Sequence, residues 1–550
     1  MQFLNLPAKK IRGYNAIVFV LIGIYFASTL FALKKLSINS DEGSFYSYGV
    51  KILKDNPTKQ DNLFLFHSKM PVCALNALPR AIEQLFNPSL KKNQQQAFSD
   101  IYHGRFISVL IGFFIILYVF KWSRKLYGPN GGLFSLFLCC LCPNLIAHSQ
   151  FVSTDIYSVF FSIALFYHAW RYTQTHSFKK LTLMAIFLAF CQVSKQSLLF
   201  YYFLIPLLLI TASYAASGNN FRKHFFSVKH LFSKKIITSV IWVIALNLLI
   251  INAAFLFYHT GKPLKEYHFI SQPFQEIQKV SGFLGNIPLP LPQPFFEGMD
   301  GAKYFEQLGG GSAQSTYGDV YLLGTKKKDG SFFYYYFVVL FFKLPIPFLI
   351  AIIFSLFYIF RLQTIKYFFK NEAFILIPIA TGLILFNFFY KAQIGIRHIL
   401  FMLPLLQVLC GRFPGGLLST WNKKSAFILI PICAWQIISV MNYFPHFLPY
   451  TNEFILNKKN AYKYLADSNI FYKEGKFWLD KYMDQHPGSV YQPDKPTIGI
   501  IILNVNDYLD LWNTGTYQWI HQLHKEPYDH INSQYLVFQI SQKDISQLSP

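Results

Sequence analysis

Two adjacent carboxylates, Asp41 and Glu42, stand in the run Ser40-Asp41-Glu42-Gly43-Ser44-Phe45-Tyr46, a few residues after an apolar stretch at about 14–33. At a membrane surface such a pair suits chemistry on a lipid headgroup. One carboxylate takes a proton from an incoming hydroxyl while the other positions a substrate or cation, help worth roughly 10²–10⁴ in rate. The same residues also suit an ordinary helix start, with Ser40 capping and acids in the first turn. Asp155 closes the turn His148-Ser-Gln-Phe-Val-Ser-Thr-Asp155, where it suits either an N-cap or a site carboxylate.

Four cations complete the set. Lys69 lies in Phe66-His67-Ser68-Lys69-Met70-Pro71, Arg105 opens an apolar segment, Lys195 falls between two apolar runs, and Arg397 lies in Gly395-Ile396-Arg397-His398. Each can hold a phosphate, Arg397 bidentately. Lys69 and Arg105 equally suit snorkelling to headgroups, while an intramembrane cation such as Lys195 points to function by default. His398 reads as a packed interfacial histidine.

These residues need elements that bring them together, and the composition says what those are. Of 550 residues 53% are hydrophobic, 19% aromatic and 14% charged, where a soluble chain carries about a quarter charged. The apolar residues gather in runs approaching the ~20 residues that cross a bilayer. Eleven candidate spans cover about 14–33, 106–120, 132–147, 156–170, 181–195, 196–213, 236–258, 335–360, 373–390, 398–411 and 425–442. The division at Lys195 is the least defined. After the first run the chain continues Leu33-Lys34-Lys35-Leu36 without a small-residue cleavage site, so that run reads as a retained anchor.

Charge in the short connectors gives the orientation. Lys9, Lys10 and Arg12; Lys121, Arg124 and Lys125; Arg171, Lys179 and Lys180; Arg222, Lys223, Lys229, Lys234 and Lys235; Arg361, Lys366 and Lys370; and Arg412, Lys423 and Lys424 occupy alternate connectors. The positive-inside rule makes them cytoplasmic. The N-terminus is then cytoplasmic, and four substantial pieces lie outside, 34–105, 148–155, 259–334 and a tail from about 444, besides the short outer turns at Lys195 and before the span at 398. All seven residues singled out above map to this outer face.

The formal charge of +24 is explained by the inner connectors and by Lys51, Lys54, Lys59, Lys69, Arg80, Lys91 and Lys92 of the first outer loop. Beside a bilayer this favours anionic headgroups or lipid phosphates. There is no stacking pattern for nucleic acid. Six of the seven cysteines sit in or beside spans, which excludes a disulfide framework, and the cluster Cys139-Cys140-x-Cys142 reads as small apolar packing. The Pro- and Gly-rich loop 259–334, with the run Gly309-Gly310-Gly311-Ser312, is irregular. In the tail, Thr497–Asn504 and Tyr535–Ile540 read as strands around an aromatic helical stretch, giving a small α/β domain. The expected architecture is an all-α polytopic membrane domain over 1–443 and an extracytoplasmic α/β domain over 444–550.

On these residues the chain resembles the GT-C superfamily of glycosyltransferases that use lipid-linked sugars. Within it, the chain is similar to the family 39 branch of protein O-mannosyltransferases and bacterial aminoarabinose transferases. Asp41-Glu42 matches that family's Asp-Glu motif, and His148 to Phe161 is similar to its second motif, around Asp155. Lys69-Met70-Pro71 resembles a Lys-Pro-Pro element, with Met70 replacing the first proline. Pro288–Pro292 with Glu297-Gly298, Tyr321–Gly324, Gly395–His398, Tyr443–His446 with Asn452-Glu453, and Asp467-Ser468-Asn469 resemble a bacterial subgroup. There the last motif continues Asp-Trp-Gly-Gln; here it reads Ile470-Phe471-Tyr472-Lys473-Glu474.

The resemblance implies an inverting transferase in the plasma (inner) membrane. Asp41, with Glu42 and Asp155, would be catalytic, while Lys69, Arg105, Lys195 and Arg397 would hold the phosphate of a polyprenyl (undecaprenyl) phosphate sugar. The acceptor would be a lipid, glycan or protein reached from the periplasmic side. A divalent metal held by Asp41, Glu42 and Asp155 is open. A lipid-linked-glycan transporter or flippase would show paired half-repeats and midplane polar groups, and neither is found. A polysaccharide ligase would share the spans without needing the Asp41-Glu42 pair.

Overall fold

The computed structural model describes residues 8–87, 94–217, 234–308, 318–328, 330–418 and 423–548. The glycine run at 309–312, Lys91, Lys92, Arg222, Lys223 and Lys229 lie outside them. The chain is predominantly helical, and all eleven apolar stretches are helical. Among the described residues four helices are long and apolar enough to cross a membrane, or five if a bent pair counts as one span. One of the four is the segment Asp100–Cys140, which carries two of the eleven stretches. The stretches outside these helices are shorter or more polar, so the sequence count of eleven exceeds what length and composition of the helices alone support.

Local chemistry sets the breaks. In Gln94–Cys140 the left-handed Gly128 (φ 81°), followed by Pro129, divides the segment into two helices, a conformation that glycine adopts without Cβ strain. Leu344 is extended before Pro345, and the chain bends by 117° between the helices Tyr335–Lys343 and Ile346–Leu362; proline imposes both the extended residue before it and the loss of a helical N–H. Lys195 is extended in the gap between Phe178–Gln192 and Gln196–Leu198, which is where the division of spans was least defined.

The helix Asp155–Thr175 lies at the centre, buried almost all round, as a helix without a polar face requires. It packs on Gln94–Cys140, Phe178–Gln192 and Met402–Cys410. Lys234–Ala254 instead exposes Ile236, Val240, Ile241, Ile244 and Leu249, an apolar surface suited to lipid. Its Asn247 accepts from the Tyr202 hydroxyl at 3.0 Å and donates to the Ala185 carbonyl at 3.3 Å, the kind of polar link that joins helices in a bilayer. Lys121, Lys125, Arg171 and Lys180, from two basic connectors, cluster with one another. Cys139, Cys140 and Cys142 are buried thiols without disulfides.

The tail forms a four-stranded sheet. Val490–Tyr491 pairs parallel with Gly499–Asn504, which pairs antiparallel with Tyr535–Ile540, which in turn pairs with Asp529–Ile531. The two strands expected from the sequence are the central pair, in register from Gly499 against Ile540 to Asn504 against Tyr535. Short helices Val505–Tyr508 and Gln518–Gln522 fill the stretch between them. The sheet is tied to the helices by the segment 466–474. Lys343 Nζ donates to the carbonyl of Asn469 at 2.8 Å, and the Ile396 N–H donates to the Asn469 side chain at 3.0 Å.

Candidate active site

A cavity of about 870 Å³ is lined by Asp41, Lys69, Asp155, Lys195 and Arg397 together with Phe45, Phe274, Met299, Lys303, Glu306, His398 and Trp512. Five of the seven residues singled out in the sequence therefore line one cavity, although they come from five separate parts of the chain.

Asp41 precedes the helix Glu42–Leu53. Ser40 does not cap that helix. The Asn39 side chain accepts from the N–H groups of Asp41 and Glu42 at 2.9 and 3.0 Å, which leaves the Asp41 carboxylate free for other partners. Arg397 Nη1 donates to its Oδ2 at 2.9 Å, and the Tyr472 hydroxyl donates to the same oxygen at 2.6 Å. The Arg397 guanidinium also lies over the Tyr472 ring, 5.0 Å from its centroid. Burial on its own would raise the Asp41 pKa, but Lys69 and Arg397 outweigh it and hold the carboxyl well below its usual range. It is ionised at neutral pH.

Arg397 is delivered by backbone shape. Gly395 has φ 132°, and a Cβ there would lie 2.5 Å from Ser468 Oγ and 3.2 Å from the Asn469 nitrogen. Only glycine admits that approach. The motifs at 395–398 and 467–469 are thus two sides of one contact. His398 packs its ring against Tyr390, 5.1 Å between centroids, and lines the same cavity.

Asp155 opens its helix without capping it. Its Oδ1 accepts from Lys195 Nζ at 2.5 Å, and Lys195 donates in addition to the Arg397 carbonyl at 3.2 Å. Lys69 forms no ion pair among the described residues: Nζ donates to Ser68 Oγ at 3.3 Å and stands 4.1 Å from the Phe45 ring centroid. Burial lowers its pKa and Asp41 opposes the shift.

Glu42 and Arg105 are placed elsewhere. They form a bidentate pair, Nε to Oε1 at 2.7 Å and Nη2 to Oε2 at 2.5 Å, with both side chains fully buried. Glu42 also accepts from the N–H groups of Asn39 and Val152, and Arg105 donates to the carbonyls of Leu36 and Ser37. The pair fixes the loop carrying Asp41 to the turn that precedes Asp155. With both Glu42 oxygens already accepting two hydrogen bonds each, the three carboxylates Asp41, Glu42 and Asp155 do not converge as metal ligands, and among the described residues no group of three His, Cys, Asp or Glu side chains does.

Two residues were missed by sequence reasoning. Tyr472 lies in the stretch where the resemblance breaks off, 431 positions from Asp41, and no spacing rule reaches that far. Lys59 was counted only as loop charge. It is fully buried, its Nζ donating to the carbonyls of His67 and Lys69 at 3.0 and 2.7 Å, so it shapes the loop that presents Lys69. Burial pushes its pKa down to about 7, against the pull of Glu297. The Glu297-Gly298 motif belongs to this support: a Cβ at Gly298 would lie 2.5 Å from Lys59 Nζ.

Residues 98–243 match the family model described as dolichyl-phosphate-mannose-protein mannosyltransferase, a stretch that contains Arg105, Asp155 and Lys195. That is the group of enzymes the sequence motifs resemble. The comparison with curated proteins yields no match. Among solved structures the chain is similar to ArnT from Cupriavidus metallidurans bound to undecaprenyl phosphate, at 9% identity over 97% of this chain and 98% of that one, with a TM-score of 0.44. It is also similar to the Archaeoglobus fulgidus oligosaccharyltransferase in the apo form, at 12% identity over 86% of this chain and 58% of that one, TM-score 0.47. A third similarity is to AglB of the same organism with an inhibitory peptide and a dolichol-phosphate, at 12% identity over 90% and 62% of the two chains, TM-score 0.45. The chain spans less than two thirds of those archaeal structures.

Proposed function

We propose that this membrane protein is a glycosyltransferase that takes its sugar from a polyprenyl-phosphate donor and passes it, with inversion, to an acceptor on the extracytoplasmic side. The reading is carried by one observation: Asp41, held ionised by its neighbours, and the cations Lys69, Lys195 and Arg397, contributed by distant segments, line a single cavity.

The chemistry follows from the charges. Attack on the anomeric carbon breaks its bond to the phosphate oxygen, and the leaving group gains negative charge. Cations fixed where that charge develops lower the barrier. Lys69 is available directly, and Arg397 and Lys195 stand beside it, each held on a carboxylate of the site. A donor phosphate competes with Asp41 for Arg397. As the guanidinium turns to the phosphate, the carboxylate loses a cation and becomes a better base for the acceptor hydroxyl or amine. Asp155 orients Lys195. Glu42 and Arg105 act through structure, by setting the loop that carries Asp41.

The match over 98–243 and the alternation of basic connectors support the class and the orientation: N-terminus cytoplasmic, and the 444–550 region periplasmic in a Gram-negative-type cell. The test is transfer in membranes from a short-chain polyprenyl-phosphate sugar. Asp41→Asn should abolish transfer while the protein still inserts and folds. Transfer by that variant at the wild-type rate, or exclusive use of a soluble nucleotide sugar, rejects the reading.

A further inference from the structure

The tail is more than an appended domain. Its segment Phe471–Glu474 runs against the first outer loop: the Ser40 N–H donates to the Tyr472 carbonyl at 3.2 Å and the Ser37 N–H to the Glu474 carbonyl at 2.9 Å. Glu474 is fully buried. Its carboxylate is hydrogen-bonded to His446 at 2.8 Å, to Gln534 at 2.6 Å and to the Tyr472 N–H at 3.1 Å. Gln534 borders the strand Tyr535–Ile540 and donates as well to the Ile470 carbonyl at 2.7 Å. The sheet therefore braces the short segment that brings the Tyr472 hydroxyl to Asp41. One residue of the same region, Trp512, lines the cavity and is 39% exposed.

We infer that the C-terminal region completes the active site, with Tyr472 as a positioning residue that fixes the catalytic carboxylate. This rests on the assignment of Asp41 as the base. Tyr472 donates to Oδ2 of Asp41 and leaves Oδ1 without a protein hydrogen bond among the described residues. Oδ1 is then the oxygen that receives the acceptor proton. The need for a second holder appears during turnover. Arg397 Nη1 is shared between Asp41 and the Tyr472 oxygen at 2.5 Å. When it turns to a donor phosphate, the tyrosine hydroxyl is the remaining contact that keeps the carboxylate in place. A neutral phenol does this without competing for phosphate, which an arginine or lysine in its position would do.

The test compares full-length wild type, Tyr472→Phe and Asp41→Asn in the same transfer assay. Phenylalanine keeps the ring under Arg397 and removes only the hydroxyl. A hydrogen bond to a charged group is worth about 10- to 100-fold, and kcat should fall by that factor with the donor KM changed less than about twofold. The groups facing Asp41 are Arg397, Lys69 and Tyr472, with Asp155 and Asp467 nearby. Of these only the tyrosine is altered. Its hydrogen bond favours the ionised carboxylate, so its loss raises the Asp41 pKa and moves the acidic limb of the kcat profile to higher pH.

A kcat within about twofold of wild type overturns the inference, and so does a loss shared equally by kcat and KM with an unmoved acidic limb. If Asp41→Asn is fully active, the base assignment itself has failed. If Asp41→Asn is dead and Tyr472→Phe is normal, only the role of Tyr472 is lost.

Discussion

Two carboxylate–guanidinium pairs begin at consecutive residues and end in different surroundings. Asp41 meets Arg397 at the cavity, with the two side chains 31% and 13% exposed, whereas Glu42 meets Arg105 in an interior where neither side chain is exposed at all. Both acids sit at the same helix start, where successive side chains diverge by about 100°. Turning the helix to put Glu42 on Arg105 is what presents Asp41 to the cavity. A charge sealed with its partner and with every lone pair satisfied can hold a structure but cannot exchange partners. A pair at a cavity wall can.

Substitutions should separate the two roles. The largest effect on catalysis is expected at the open pair, where Asp41→Asn lowers transfer by about 10²–10⁴ and lowers the Tm in detergent less than the matching change at the sealed pair. The matching change at the sealed pair, Arg105→Ala, strands the Glu42 carboxylate in the interior, at a cost of about 3–5 kcal/mol. Its expected signature is a fall in Tm and in folded yield, with the protein that does fold retaining its donor KM. If Arg105→Ala were stable and defective only in donor binding, the contrast between the pairs would be wrong and the guanidinium would be a phosphate ligand after all.

A smaller effect tests the third pair, Asp155 with Lys195, which is 7% and 15% exposed and so intermediate between the other two. Lys195→Met should raise the donor KM about 10- to 100-fold, the range of one charged hydrogen bond, with a lesser change in kcat. A Tm loss as large as that of Arg105→Ala would move this pair to the sealed class.

The contrast also marks what a sequence can convey. The eleven apolar stretches as helices, the two central strands and the meeting of five of the seven singled-out residues at one cavity were legible, because hydrophobic period and connector charge are local patterns. What was not legible was which way a side chain faces at a helix start. Asp41 and Glu42 have the same chemistry and neighbouring places, and only the packing of residues 105 and 152 against the loop distinguishes them. Tyr472 was out of reach for a different reason: its partner lies at the other end of the chain, and the motif that would have flagged it is replaced there. Lys59 was hidden by its type, since lysines in loops are usually solvated and this one is buried among carbonyls.

The smallest predicted effect concerns a third acid near Arg397. Asp467 is left-handed (φ 54°) and, among the described residues, makes no ion pair; its carboxylate accepts from the Ser468 N–H at 2.5 Å. Burial raises its pKa to about 6, with Arg397 opposing and Asp41 adding to the rise. A carboxyl whose folded pKa exceeds its unfolded value contributes stability that is full below the unfolded pKa, near 3.9, and is lost as pH rises through about 6. The shift of about two units sets an upper bound of roughly 3 kcal/mol. Asp467→Asn keeps the left-handed backbone accessible and removes the titration. The variant should therefore match wild type in Tm near pH 4 and exceed it modestly above pH 6, a difference read from unfolding scans across that window. Equal Tm values at pH 4 and pH 7 would mean that Arg397 neutralises Asp467 as it does Asp41, and that the open side of the comparison holds two acids on one guanidinium rather than one.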